Sequence, residues 1–423
     1  MRFVRLLISE CATPVVPPPC VKVTLMSERL NLLDPKFRAD PYPTYAKMRR
    51  ESPVCQVEPN GMWAVSRYDD IITAFKNPKL FSSAGLAMAM QPAWLKQSNP
   101  IGRSVAVTDP PEHGRLRKLV AGAFTPNLLN RMESYARDVS SRLTEMVLQQ
   151  QKVEFINDFC VGVPASIMAL VMGFDLSLAT KFKSWGDSMN LVTALGPNDV
   201  ERQAHVRQNI QEMNKYLAEL IELRRRKPAE DLTTELLQVS VEGESLTHDE
   251  LVAFLAVLLV AGLETTAFLI AHSTIILAQR PELMEGLRYN EVALNNFIEE
   301  VLRYEPPVHG AVRLTTQETE LGGVLLPAHA PVLLLVGSGL RDEQQFPDPE
   351  RFNPSRGVQA NLAFGNGIHF CIGAQLARME ARVALDTLLS MCSRFELLTD
   401  KLQWNNSLTG RSVVELPMRV HPI

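Results

Sequence analysis

A large excess of charge of either sign is missing from this 423-residue sequence. Lys and Arg number 43 against 47 Asp and Glu, a net charge of -4. That balance gives no electrostatic reason to expect a nucleic-acid partner. A cysteine framework is missing too. Cys11, Cys20, Cys55, Cys160, Cys371 and Cys392 are scattered without pairing or zinc-ligand spacing. Neither a disulfide scaffold nor a zinc or iron–sulfur cluster is indicated, and a reducing, cytoplasmic setting fits. Long hydrophobic runs are scarce: the longest without a polar side chain, Leu251 to Leu263, is thirteen residues. A run that short suits a buried core helix, so no membrane span is expected. Internal repeats and, beyond the N-terminus, low-complexity tracts are also absent.

What is present is an ordinary globular composition, 46% apolar and 21% charged, enough for a large core. Residues 1–25 stand apart. They carry Arg2 and Arg5, a short apolar patch from Phe3 to Ile8, then Pro14, Pro17, Pro18 and Pro19. The patch is too short for a signal sequence, so a disordered extension is expected, with Met26 a candidate start. No linker divides the remainder, and residues 26–423 are expected to form one catalytic domain, acting as a monomer. Helical periodicity dominates: 41–50, 69–75, 112–124, 128–149 and 198–226. Strand signals are few, at 62–66, 320–326, 331–336 and 412–420, and 82–104 reads as irregular. The class is mainly α with a minor β part.

The most informative stretch runs from Phe364 to Gly373, with Gly365, Gly367, His369 and Cys371 between. Helical spacing of Leu376, Met379 and Val383 follows it. Free N–H groups and the positive end of a helix dipole favour a thiolate there. The glycines allow close approach of something large and flat. Two blander readings stand beside this one: an inert core cysteine, or a phosphate-binding turn. GxGxxG and GK[ST] fingerprints are absent from the region.

A second rule-breaking stretch lies in an apolar helix. Thr247 and Glu250 form a capping box, and the helix is expected to run to about residue 278. In its middle, after Ala261, stand Gly262, Glu264, Thr265 and Thr266, all awkward in a buried helix, the carboxylate most of all because no partner is evident. A threonine hydroxyl there competes for the carbonyl one turn back. Farther along, Glu300 and Arg303 share a helix face at i and i+3, just before Pro306 and Pro307.

Together these stretches resemble the cytochrome P-450 superfamily. Phe364, Gly367, Cys371 and Gly373 match its haem-loop pattern FxxGxxxCxG, Ala261 to Thr266 matches [AG]Gx[DE]T[TS], and Glu300 to Arg303 matches ExxR. The resemblance covers about residues 30–420. It implies the superfamily's triangular-prism fold, with a long central helix over haem b and a small β-rich region. It implies Cys371 as axial thiolate ligand of the iron protoporphyrin, Phe364, Gly365 and Gly373 as cradle, and Gly262 as room for dioxygen. His113, Arg117, Arg313 and His369 correspond to propionate partners. Thr265 corresponds to the alcohol facing dioxygen, Glu264 to the acid that relays protons. Glu300 and Arg303 become a buried structural ion pair, with a third partner expected near Arg351 or Phe352. Departures fall at Gly114, at Gly339 to Glu343, and at His329 where Pro-Ala-Gly is common.

The activity so implied is monooxygenation of a mid-sized or large apolar small molecule, by hydroxylation or epoxidation, in polyketide or macrolide tailoring. Met88, Met90, Leu191, Leu195, Leu258, Ala261, Val308 and Thr409 are candidate substrate contacts by family position. No flavin or nicotinamide fingerprint occurs in the chain, so electrons are expected from a separate ferredoxin or flavodoxin with an NAD(P)H-dependent reductase. Arg115, Lys118, Arg378 and Arg382 are candidates for a basic docking patch. Peroxide-driven oxidation and a non-catalytic haem sensor or carrier are the alternatives. The intact acid–alcohol pair argues against both.

Overall fold

The structure is a computed structural model, and it describes residues 29–123, 126–196, 198–357 and 361–423. The expected N-terminal extension, 1–25, lies outside the described residues.

The described residues form fifteen α-helices. The first five are α1 (Pro35–Ala39), α2 (Tyr42–Glu51), α3 (Tyr68–Lys76), α4 (Ala84–Ala89) and α5 (Glu112–Gly122). Then come α6 (Pro126–Leu148), α7 (Gly162–Met172), α8 (Ala179–Leu191), α9 (Val200–Arg226) and α10 (Leu232–Gln238). The last five are α11 (His248–Gln279), α12 (Leu283–Leu287), α13 (Glu291–Tyr304), α14 (Val336–Gly339) and α15 (Ala374–Met391). Every helix expected from periodicity is found within a few residues. The stretch 82–104 is less irregular than expected, because Ala84–Ala89 closes a helix and two 3-10 turns follow.

Helix α11 is the axis. Its capping box forms as predicted: Thr247 N donates to Glu250 Oε2 at 2.8 Å, and Glu250 N to Thr247 Oγ1 at 3.3 Å. The thirteen-residue apolar run proves to be part of a 32-residue helix, long and apolar enough by composition to cross a bilayer. Most of that helix is instead buried against α7, α8, α9 and α15, as a core helix is. Its flanks are sealed by an apolar cluster running from Phe155 and Phe159 through Trp185 and Phe297 to Phe395.

The β part is larger than predicted. Strands β1 (Val54–Val57), β2 (Met62–Val65), β3 (Phe81–Ser82), β5 (Ala311–Thr315) and β8 (Pro331–Leu334) form one sheet in the order β1-β2-β8-β5-β3. Only β2 and β8 pair in parallel, Trp63 opposite Val332. The rest are antiparallel. Strands β4 (Val153–Glu154), β9 (Cys392–Leu397) and β10 (Pro417–Pro422) form a second sheet. The single strand expected over 320–326 is a hairpin of β6 (Thr319–Leu321) and β7 (Val324–Leu326), turned at Gly322 and Gly323, both with positive φ. His329 sits at φ 58°, the left-handed position that explains why glycine is the usual residue there.

Candidate active site

The Cys371 loop is a tight, glycine-dependent turn ahead of α15. Gly365 and Gly367 take φ of 72° and 69°. A Cβ on Gly367 would lie 2.6 Å from the Phe75 carbonyl oxygen, so the loop docks directly on the end of α3. Cys371 N donates to Phe364 O at 3.0 Å, and Phe370 N to Gly367 O at 3.1 Å, closing the turn. Arg378 lies over the Phe364 ring at 4.3 Å, fixing the ring's outer face. Cys371 itself is exposed, whereas Cys160 and Cys392 are buried. Crowding by surrounding protein atoms pushes its thiol up; the Gly373 N–H, Arg117 and Arg378 pull the other way and do not prevail.

Four side chains named from the sequence converge beside this loop. His113 is buried on α5, its ring 4.4 Å from that of His369 in an edge-on contact, and its Nε2 has no partner. Arg117, one turn on, is close enough to interact with Cys371. Arg313 on β5 is buried over the Phe75 ring at 5.2 Å. Burial drives the Arg313 guanidinium down to about 10. Burial, then Arg313 and His113, push His369 down to about 3. Burial and then Arg117 also lower His113, and burial lowers Arg117. Mutual depression of this kind marks a pocket of converging donors with too little negative charge in it. Asp109 is the one carboxylate opposing it, and it is engaged by Ser83 N at 2.9 Å and by the Ser82 hydroxyl. Such a cluster suits a ligand bearing carboxylates. Ser83, whose Oγ is 3.0 Å from His369 Nε2, was not foreseen from the sequence.

On α11, Thr265 Oγ1 donates to Ala261 O at 2.6 Å, the predicted in-helix bond, and the helix stays continuous through it. Glu264, which shows no evident partner along the chain, has one in the fold. Asn190 Nδ2 on α8 donates to its Oε1 at 2.6 Å. Burial, then Asp187, raises Glu264 to about 7, while Asn190 and Lys183 hold it back. Asn190 left no signal in the sequence, since it is contributed by a helix 74 residues away. The missing Cβ of Gly262 leaves room for Met168 of α7, whose Sδ would be 2.8 Å away, so the glycine lets two helices meet.

Glu300 and Arg303 are each 4% exposed on their side chains and paired twice, both at 2.8 Å. Arg303 also donates to the carbonyls of Leu340, Pro349 and Arg351. The third charged partner is Arg356, 3.5 Å from Glu300, and not the side chain of Arg351, which contributes only its carbonyl. Asn353 N completes the shell of Glu300 at 2.7 Å.

The candidate substrate residues separate. Ala261 and Thr409 are accessible, Leu191 and Val308 are half-buried, while Met90, Leu195 and Leu258 belong to the continuous core. Met88 is 68% exposed on the outside of α4, which argues against a pocket wall there. The expected basic patch is also corrected. Arg115 pairs with Glu112 and Glu250, Lys118 with Glu242, Arg378 with Glu299, and Arg382 with Glu133. All four charges are answered by acids.

A lone accessible cysteine on a glycine turn, a cationic cluster beside it and an acid–alcohol pair on a central helix define the haem-thiolate class. The family model described as Cytochrome P450 matches residues 38–419. The chain is 37% identical to Cytochrome P450 109 of Bacillus spizizenii, over 91% of this chain and 93% of that one. It is 32% identical to 6-deoxyerythronolide B hydroxylase of Saccharopolyspora erythraea, over 92% and 98%. The solved structure of CYP109Q5 from Chondromyces apiculatus superposes with a TM-score of 0.86 at 35% identity, covering 93% of this chain and 99% of that one. The chain belongs to the cytochrome P450 family and is an enzyme of the monooxygenase type.

Proposed function

We propose that Cys371 is the axial ligand of haem b and that the chain oxygenates a large apolar molecule of the polyketide or macrolide type. The observation that carries the cofactor assignment is the pocket of converging donors, with His113 Nε2 unpartnered beside Arg117, Arg313 and His369. Two carboxylates would answer it; haem carries two propionates. When bound, haem supplies the dioxygen activation that no side chain provides.

The chain's own residues do the rest. The loop from Phe364 to Gly373 presents one sulfur and shields its flank with aromatic rings. Thr265 offers a hydroxyl on the central helix, one turn beyond the exposed Ala261. Glu264, half ionised near neutrality, takes a proton from the α8 side and passes it inward when the Asn190 bond opens. The apolar Leu191 and Val308 and the hydroxyl of Thr409 are proposed substrate contacts. The relative that hydroxylates 6-deoxyerythronolide B supports a macrolide-sized substrate. Electrons are proposed to come from a ferredoxin or flavodoxin and its reductase. The ion-paired proximal face implies docking by fit more than by long-range attraction.

The test is the reduced, carbon monoxide-bound spectrum of the haem-loaded protein, which should show the red-shifted thiolate band and lose it in Cys371→His. A haem-loaded, folded protein without that band refutes the ligand. Product that forms with NAD(P)H and redox partners, and not with hydrogen peroxide alone, separates oxygenation by O2 from the peroxide-driven alternative.

A further inference from the structure

Ser83 stands at the N-cap of α4, where a serine hydroxyl ordinarily accepts from the first free N–H groups of its helix. It makes no such bond. The residue is 2% exposed, and its Oγ lies 3.0 Å from His369 Nε2 instead. No other hydrogen bond of this hydroxyl is found among the described residues.

Asp109 fixes the hydroxyl in that direction. Its Oδ1 accepts from Ser83 N at 2.9 Å, and its Oδ2 accepts from the Ser82 hydroxyl. Ser82 Oγ in turn accepts from Ala84 N at 3.0 Å. The Asp109 carbonyl also receives His113 N at 3.0 Å, so one residue ties the turn at 82–84 to the start of α5.

This arrangement decides which nitrogen of His369 carries the hydrogen. A buried hydroxyl hydrogen needs an acceptor. His369 Nε2 is the one partner of the Ser83 hydroxyl, so Ser83 donates and that nitrogen is bare. The ring hydrogen then sits on Nδ1, which bonds no described residue. The residue is only half-buried, so the ring is open to a ligand. An N–H facing a carboxylate attracts it, whereas a bare ring nitrogen repels it.

We propose that Ser83, oriented by Asp109, is a positioning residue for the cofactor: it holds His369 as the Nδ1–H tautomer, so that the ring donates to a carboxylate of haem. The inference rests on the haem reading given above and adds to it two residues, Ser83 and Asp109, that need not touch the cofactor themselves.

The test compares enzyme loaded with iron mesoporphyrin IX, which has two propionates, and with iron etioporphyrin, which has ethyl groups in their place. Loss of each to excess apomyoglobin is followed in the Soret band. Etioporphyrin should leave wild type faster than mesoporphyrin. Ser83→Ala should speed mesoporphyrin release about tenfold, the factor that corresponds to one hydrogen bond, and leave etioporphyrin release unchanged. Ser83→Thr, which keeps the hydroxyl, should restore the wild-type rate. In a His369→Phe background, Ser83→Ala should have no further effect. The inference is overturned if Ser83→Ala leaves mesoporphyrin release unchanged, or speeds both porphyrins equally, as a merely structural serine would. Failure of the haem-carboxylate reading itself looks different: the two porphyrins would leave wild type at the same rate. Should Ser83→Ala fail to fold, Ser83→Cys, which keeps the size and weakens the donor, decides by the same comparison.

Discussion

Replacing Glu264 by Gln should make the protein more stable, and increasingly so as pH rises. In the folded chain this carboxyl holds its proton up to about 7, chiefly because burial and then Asp187 oppose its charge. Unfolded, it ionises near 4.5. Below the lower value both states are protonated and the group is neutral to stability. Between the two, the unfolded state loses its proton first and is favoured. Above the upper value the full cost applies. Rising from 4.5 to about 7 corresponds to roughly 3 kcal/mol, and partial solvent access trims this to about 2 kcal/mol. Gln keeps the acceptor that bonds Asn190 and removes the charge. The difference between variant and wild type, from urea midpoints, should therefore climb from near zero at pH 4.5 to about 2 kcal/mol above pH 7. Turnover should move oppositely, falling about a hundredfold in the variant and losing its limb near pH 7. Asn190→Ala should shift that limb upward in wild type, since Asn190 stabilises the ionised form, and Asp187→Asn should shift it downward. A stability difference that is flat from pH 5 to 8, or a limb that survives in Glu264→Gln, would refute the assignment of the perturbed carboxyl.

Two further perturbations test the frame around the site. Glu300→Ala removes the only anion between Arg303 and Arg356 and should cost about 3–5 kcal/mol, measured by denaturant unfolding. Removing the stranded cation as well, in Glu300→Ala/Arg356→Ala, should recover about 1 kcal/mol, whereas strict additivity would show that Arg356 is not part of the cluster. Gly262→Ala should cost about 1–3 kcal/mol because its Cβ meets Met168 Sδ, and pairing it with Met168→Ala should relieve part of that loss. If instead Gly262→Ala folds normally and changes only the oxygen-dependent steps, the close approach of α7 and α11 is not what the glycine is for.

Local chemistry was readable in the chain and distant partnership was not. The Cys371 turn, the capping box at Thr247 and the Thr265 back-bond each depend on residues within ten positions of one another, and each is found as expected. Short strands such as β3 and β4 carry two residues each, too few for any periodicity, and they exist only because β5 and β10 offer edges. The errors share that cause. Arg115, Lys118, Arg378 and Arg382 look like a positive patch when read along the chain, but their counter-ions come from as far as 249 residues away, as Arg382 to Glu133 does. The contact of Gly262 with Met168 of α7 is likewise invisible along the chain. Asn190 and Arg356 are ordinary surface letters whose meaning is supplied by Glu264 and Glu300. The same asymmetry governs function. Family chemistry is written in three compact motifs, because a thiolate, an acid–alcohol pair and a buried ion pair each need neighbours at fixed spacing. The proposed substrate contacts are spread over α8, α11 and the turns at Val308 and Thr409, and none is constrained by its sequence neighbours. A substitution at Leu191 or Val308 should therefore alter which molecule is oxidised while leaving the thiolate spectrum untouched. Any change in the Phe364–Gly373 loop that displaces the sulfur should remove the spectrum and every activity together.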